Sequence, residues 1–158
     1  QMGFVAVARH RSKRVTLSLT RAGLMPLFEG LIFSGLEIPS KRTKPAPDVF
    51  LYAAETLKAE PKRSFVVEDS VHGVAGAKAA GMRVIGFTGA AHSYPGHADR
   101  LTEAGAETVI RRWADLAPPV RTYFFFFVGL PASVPESNPA KTWMLRLAGA
   151  SKVTFWSL

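Results

Sequence analysis

The stretch RSFVVEDSVHGVAGAKAAGMRVIGF, residues 63–87, decides how the chain is read. The run from Ser64 to Val67, with Phe65 and two valines, fits a short parallel strand covered on both faces, and it ends in two adjacent carboxylates, Glu68 and Asp69. A helix rich in small residues is expected from about Val71 to Ala80, followed by a second apolar strand from Met82 to Phe87. In open α/β sheets ligands bind outside the carboxyl ends of the strands, where the next helix begins, so the two acids stand at the edge where chemistry occurs. A plainer reading exists beside this one. Asp69 or Ser70 could simply cap the following helix by accepting hydrogen bonds from its first free amides.

Working outward, the 158 residues suffice for one core of ordinary size, and 47% apolar content with 11 prolines and 13 glycines is ordinary for a globular domain. The absence of cysteine excludes a disulfide framework and a thiolate metal site. No apolar run reaches the length of a membrane-spanning helix, and the first residues lack the pattern of a signal peptide, so the expected location is the cytoplasm with no membrane partner. The net charge of +8 is unevenly divided. Residues 1–44 carry eight Lys/Arg against two Glu, residues 45–117 eight against nine acids, and residues 118–158 four against one, or +6, −1 and +3. A basic excess confined to the two ends reads as solvated surface, and no aromatic residues interleave with the N-terminal charges, so no specific nucleic-acid partner is expected.

Further elements are legible by period and punctuation. Phe4 to Ala8 reads as a buried strand; SKRVTLSLTRAG reads as a helix with apolar Val15, Leu17 and Leu19 and a glycine stop at Gly23; Leu31 to Gly35 reads as another strand. KPAPDVFLYAAETLKAE opens with a proline-rich turn into a helix, with Pro47 suited to its first turn and Asp48 to its positive end. HADRLTEAGAETVI gives a short helix and a last strand, Thr108 to Ile110. Strands alternating with helices at this spacing indicate an α/β fold, a Rossmann-like parallel sheet in three layers.

KPAPDVF, followed about 20 residues later by FVVEDSVHGVAGAKAAGMRVIGF, resembles the third and fourth motifs of the haloacid dehalogenase-like hydrolases, in the branch of small phosphatases and β-phosphoglucomutase-like enzymes. The resemblance covers roughly Val15 to Leu116. It implies phosphoryl transfer through an aspartate nucleophile with Mg²⁺ as cofactor, and a small phosphorylated metabolite as partner. By motif it makes Glu68 and Asp69 the metal ligands, and Lys44 the catalytic residue that holds the phosphate and the nucleophile's charge. Read alone, Lys44 would be a solvent-facing lysine in the run KRTK.

The chain departs from the family pattern in two places. The family's first motif is a strand ending in Asp-x-Asp, and no aspartate precedes Asp48. The expected core is therefore incomplete, with the first strand and the cap domain missing, and the 158 residues are expected to be inactive alone, with weak or no Mg²⁺ binding. At the second motif, where the family places a phosphate-binding hydroxyl, the sequence has Ala8; Ser12 is the nearest hydroxyl and the candidate substrate-binding residue. His72, His92 and His97 show no metal-ligand spacing and are expected in surface or loop positions. The partial domain is expected over residues 1–117. Residues 118–158, with four consecutive phenylalanines, Trp143 and Trp156, form an apolar tail that could pack on the sheet, join a partner or self-associate. The alternative to an inactive hydrolase portion is a non-catalytic interaction protein that docks through this half-fold and tail.

Overall fold

The computed structural model describes residues 4–116 and 124–127. Six strands form one parallel sheet: β1 (Phe4–Ala8), β2 (Ile32–Ser34), β3 (Ser64–Glu68), β4 (Arg83–Phe87), β5 (Thr108–Ile110) and β6 (Phe124–Phe127). Their order in space is β2-β1-β6-β3-β4-β5. The helices are α1 (Ser12–Arg21), α2 (Asp48–Thr56), α3 (Val71–Ala79) and α4 (His97–Ala104).

Alternation along the strands builds two apolar layers, one on each face of the sheet. Val5 and Val7 of β1, Val66 of β3 and Val84 of β4 join Phe50 and Ala53 of α2, Val74 and Ala77 of α3 and Leu101 of α4 in one cluster. Ala6, Phe65, Val67 and Ile85 point the other way, onto Leu19 of α1, Leu24, Phe28 and Leu116. Every residue of β3 is buried, because helices cover both its faces, and this is why its sequence is continuously apolar rather than alternating.

The helix predicted from SKRVTLSLTRAG forms, but its apolar residues do not share a face. Leu19 is fully buried and Val15 partly so, whereas Leu17 is 51% exposed. Residues two apart lie on opposite sides of a helix, so Val15 and Leu19 can meet the core together and Leu17 cannot. The chain then turns through Gly23, which has φ +63. Pro47 stands at the cap position just before α2 rather than within its first turn, and Asp48 opens the helix as expected.

Of the apolar tail, the described residues form β6, which lies between β1 and β3. Phe125 pairs with Phe4 on one side and Phe65 on the other, and Phe127 with Ala6 and Val67. The rest of the tail, including Trp143 and Trp156, lies outside the described residues.

Phe50 is fully buried and fills the space left by Gly76, where an added Cβ would come within 3.2 Å of the Phe50 ring. We expect Phe50→Ala to destabilise the domain by about 3–5 kcal/mol. Urea unfolding of the two proteins measures this, and a change below about 1 kcal/mol would show that the α2–α3 layer collapses to fill the hole.

Candidate active site

At the carboxyl edge of the sheet, β3 delivers Glu68 and Asp69, and the loop before α2 delivers Lys44. Lys44 is buried, at 9% exposure, so it is not the solvent-facing lysine that the run KRTK suggests by itself. Its Nζ donates to the Val7 carbonyl of β1 at 3.3 Å and to Glu68 Oε1 at 3.3 Å, and stands 5.0 Å from the centre of the Phe50 ring. The ammonium therefore spans from β1 to β3 across the end of the strand between them. Burial pushes its pKa down, against the pull of Glu68 and Asp69.

Glu68 is among the most buried side chains, at 1% exposure. Its Oε1 also accepts from the Ser70 hydroxyl at 2.7 Å, while Oε2 is buried with no hydrogen-bond partner. Ser70 uses the same hydroxyl to accept from the Gly73 amide at 3.1 Å and so caps α3. The capping alternative is thus correct for Ser70, and Asp69 remains free of that task. Gly73 faces the carboxylate so closely that a Cβ there would overlap Glu68. Its role was legible only as a glycine in a small-residue helix; the carboxylate that requires it comes from tertiary packing.

Asp69 carries its own distortion. Burial, and secondarily the charge of Glu68, pushes its carboxyl up to about 7, with Lys44 opposing. Its Oδ2 lies 3.4 Å from the exposed His92 ring. His97 is not a surface residue as expected from the sequence. It is 4% exposed, and its Nε2 donates to the Asp69 carbonyl at 3.0 Å while Nδ1 accepts from the Ser93 hydroxyl at 3.1 Å, with Tyr94 stacked on the ring at 4.8 Å. Both ring nitrogens are therefore engaged, and the loop before α4 is pinned to the acid pair. His72 is exposed as expected. An open cavity of about 600 Å³ borders this loop, lined by Thr88, Ser93, Tyr94, His97 and Arg111 among others, but not by Lys44, Glu68 or Asp69.

Ser12 begins α1, half-buried, and its backbone amide donates to the Glu37 carboxylate at 3.2 Å. Ala8 is the last residue of β1, where its carbonyl accepts from the Gly35 amide at 2.9 Å. The structure thus brings Lys44, Glu68 and Asp69 together and leaves Ser12 at the neighbouring helix entry, hydrogen-bonded to a different carboxylate.

Two carboxyl groups beside one ammonium put oxygen donors at this edge, with Glu68 Oε2 unpartnered. Those donors suit a hard divalent cation in type. In number they fall short, since among the described residues no group of three or more His, Cys, Asp or Glu is placed to hold a metal ion.

A match to the haloacid dehalogenase-like hydrolases spans residues 2–87, and the chain belongs to that family. The crystal structure of a haloacid dehalogenase-like protein of unknown function from Agrobacterium tumefaciens superposes with a TM-score of 0.69 at 54% identity, over 71% of this chain and 50% of that one. A family hydrolase from Deinococcus radiodurans, solved with bound phosphate and sodium, gives 0.65 at 34% identity, over 72% of this chain and 49% of that one. The phosphorylated carbohydrates phosphatase of Thermotoga maritima is 34% identical over 108 residues, which are 68% of this chain and 47% of that protein. The chain spans about half the length of each of these relatives.

Two outcomes follow from this geometry. In Gly73→Ala the new methyl group must displace Glu68 and break its pairing with Lys44, so a loss of about 3–5 kcal/mol is expected in chemical denaturation; Gly76→Ala, which meets only contacts of 3.1 Å and longer, should lose less. The second concerns pH. Asp69 keeps its proton up to about 7 when folded, against 3.8 ordinarily, so its contribution to stability is fully present below about pH 4 and is lost as pH rises through 7. Asp69→Asn removes this dependence. The variant should match the parent near pH 4 and exceed it by about 1–3 kcal/mol at pH 8, read from urea midpoints across that range.

Proposed function

We propose that these residues form the metal and lysine side of a Mg²⁺-dependent phosphatase or phosphomutase centre for small phosphate esters, and that the 158-residue chain by itself does not turn over. The observation that carries this reading is the buried Lys44, held between β1 and Glu68 beside Asp69 at the carboxyl edge of the sheet. The family membership and the Thermotoga maritima relative, a phosphorylated carbohydrates phosphatase, support the substrate class. Glu68 and Asp69 would hold Mg²⁺, which when bound supplies charge neutralisation on the phosphoryl oxygens.

The chain's own residues bind and orient. Lys44, positioned by Val7 and Glu68, places a cation at the tip of the sheet, where it favours an anionic ester and the charge that develops on transfer. Ser70 and Gly73 fix the rotamer of Glu68, and His97 fixes the backbone of Asp69. These 158 residues hold no aspartate at the position where the family places its nucleophile. No aspartate precedes Asp48, and Asp48 itself opens α2 in an ion pair with Arg42, 2.9 Å away. Loss of the nucleophile from a coupled catalytic set removes on the order of 10⁶ in rate.

The test is hydrolysis of p-nitrophenyl phosphate and of sugar phosphates with Mg²⁺. The chain should give no turnover, and Mg²⁺ should bind more weakly than about 1 mM by calorimetry, because two carboxylates cannot complete the octahedral geometry this ion demands. A version carrying an added Asp-x-Asp strand and cap domain should turn over, and Lys44→Met in that version should abolish the activity. Turnover by the short chain alone, or an extended version indifferent to Lys44, would sink the reading.

A further inference from the structure

Beside the acid pair, the carboxyl edge of the sheet has a second concave feature. The cavity of about 600 Å³ lies where β4 and β5 end, bordered by the residues that follow those strands and by the loop that leads into α4. The carboxyl ends of parallel strands are where such sheets take ligands, and the volume suits a small molecule. Lys44, Glu68 and Asp69 do not line it.

Local bonds build its wall. The Thr88 amide donates to the Ile110 carbonyl at 2.9 Å, which holds the start of the loop against the end of β5. At Gly89 an added Cβ would overlap the Arg111 carbonyl, so only glycine lets the loop pass this close to that residue. The Ser93 amide closes a turn on the Ala90 carbonyl at 3.0 Å, and the His97 amide closes the next on the Tyr94 carbonyl at 3.1 Å. The buried His97 ring then ties the loop to itself through Ser93 and to the Asp69 carbonyl. The cavity is therefore formed in advance, and a ligand entering it does not carry the cost of ordering the loop.

The lining also selects by chemistry. It contains no Asp or Glu, and Arg111 supplies a cation. Among the described residues Arg111 makes no ion pair, whereas the adjacent Arg112 is taken by Asp115. A guanidinium without an acid partner offers the forked donor geometry that matches a phosphate or carboxylate. Tyr94 supplies a second kind of contact. Its ring lies against His97 with centroids 4.8 Å apart and planes 17° apart, yet the residue remains 52% exposed, so the ring is held flat while much of it stays open. An aromatic ring held in this way is a platform for another planar group.

We propose that this cavity binds a small planar molecule carrying one anionic group, a phosphoryl or carboxylate group on an aromatic ring, with Arg111 taking the anion and Tyr94 the ring. His97 connects the site to the acid pair, since the ring that supports Tyr94 also holds the Asp69 carbonyl. Binding there needs neither Mg²⁺ nor turnover, so it is independent of the phosphatase reading.

The probe is phenylphosphonate, which cannot be hydrolysed, titrated calorimetrically into the full-length chain without Mg²⁺. A Kd of about 1 mM or tighter is expected, with methylphosphonate, which lacks the ring, binding at least about tenfold more weakly. Arg111→Ala and Tyr94→Ala should each weaken phenylphosphonate by about tenfold or more, and Tyr94→Phe, which keeps the ring, should bind like the parent. Both residues are exposed, so urea midpoints close to the parent's should accompany these losses. Absence of binding up to about 10 mM would overturn the proposal. So would binding indifferent to Arg111 and Tyr94, equal affinity for the two phosphonates, or binding that appears only when Mg²⁺ is added, which would place the anion at the acid pair instead.

Discussion

The contact between Lys44 and Glu68 is the constraint around which the carboxyl edge is organised. A buried ion pair is not a large net source of stability, because desolvation of both charges offsets their attraction. Its structural effect is in what it forbids. Once Glu68 lies at 1% exposure, its charge must be met by a cation and a hydroxyl, so Lys44 must leave solvent, Ser70 must turn back from the helix cap, and residue 73 must have no side chain. Lys44 in turn reaches the Val7 carbonyl, which ties the loop before α2 to β1. The end of β1, the loop before α2, β3 and the start of α3 are thereby tied together at one carboxylate.

The same edge carries a second carboxyl group. Asp69, next along the chain, holds its proton to about neutrality because burial and Glu68 both oppose its ionisation. His97 binds the Asp69 backbone from the other side, so the acid pair is gripped between α3 and the loop before α4. The chain belongs to the haloacid dehalogenase-like hydrolases and spans about half the length of these relatives, and it gathers this acid pair and Lys44 at one edge of its sheet.

Much of this was legible in the residues. The run from Arg63 to Phe87 gives strand, acid pair, capped small-residue helix and strand in order, because each element there is short, strongly patterned and punctuated by glycine. The position of Lys44 immediately before a proline-rich helix start marked it out from the other lysines of its run. Leu17 misled, because hydrophobicity two residues apart is a strand period written inside a helix. His97 misled for another reason. A lone histidine in a polar stretch carries no local signal of burial, and its partners are Ser93, in the loop before α4, and the Asp69 carbonyl, 28 residues away just past the end of β3.

The sequence by itself determined the class of fold, the order of β3, α3 and β4, and the residue types that meet at the sheet's edge, since those follow from hydrophobic period, caps and the need to bury apolar strands. Tertiary structure alone decided that Glu68 is paired by Lys44 and shaped by Gly73, and that the four phenylalanines near the end of the chain take a place between β1 and β3. Strand order is not written in local pattern. A parallel strand satisfies its amides and carbonyls beside any partner with free edges, so the slot is chosen by which edges the rest of the fold leaves unpaired.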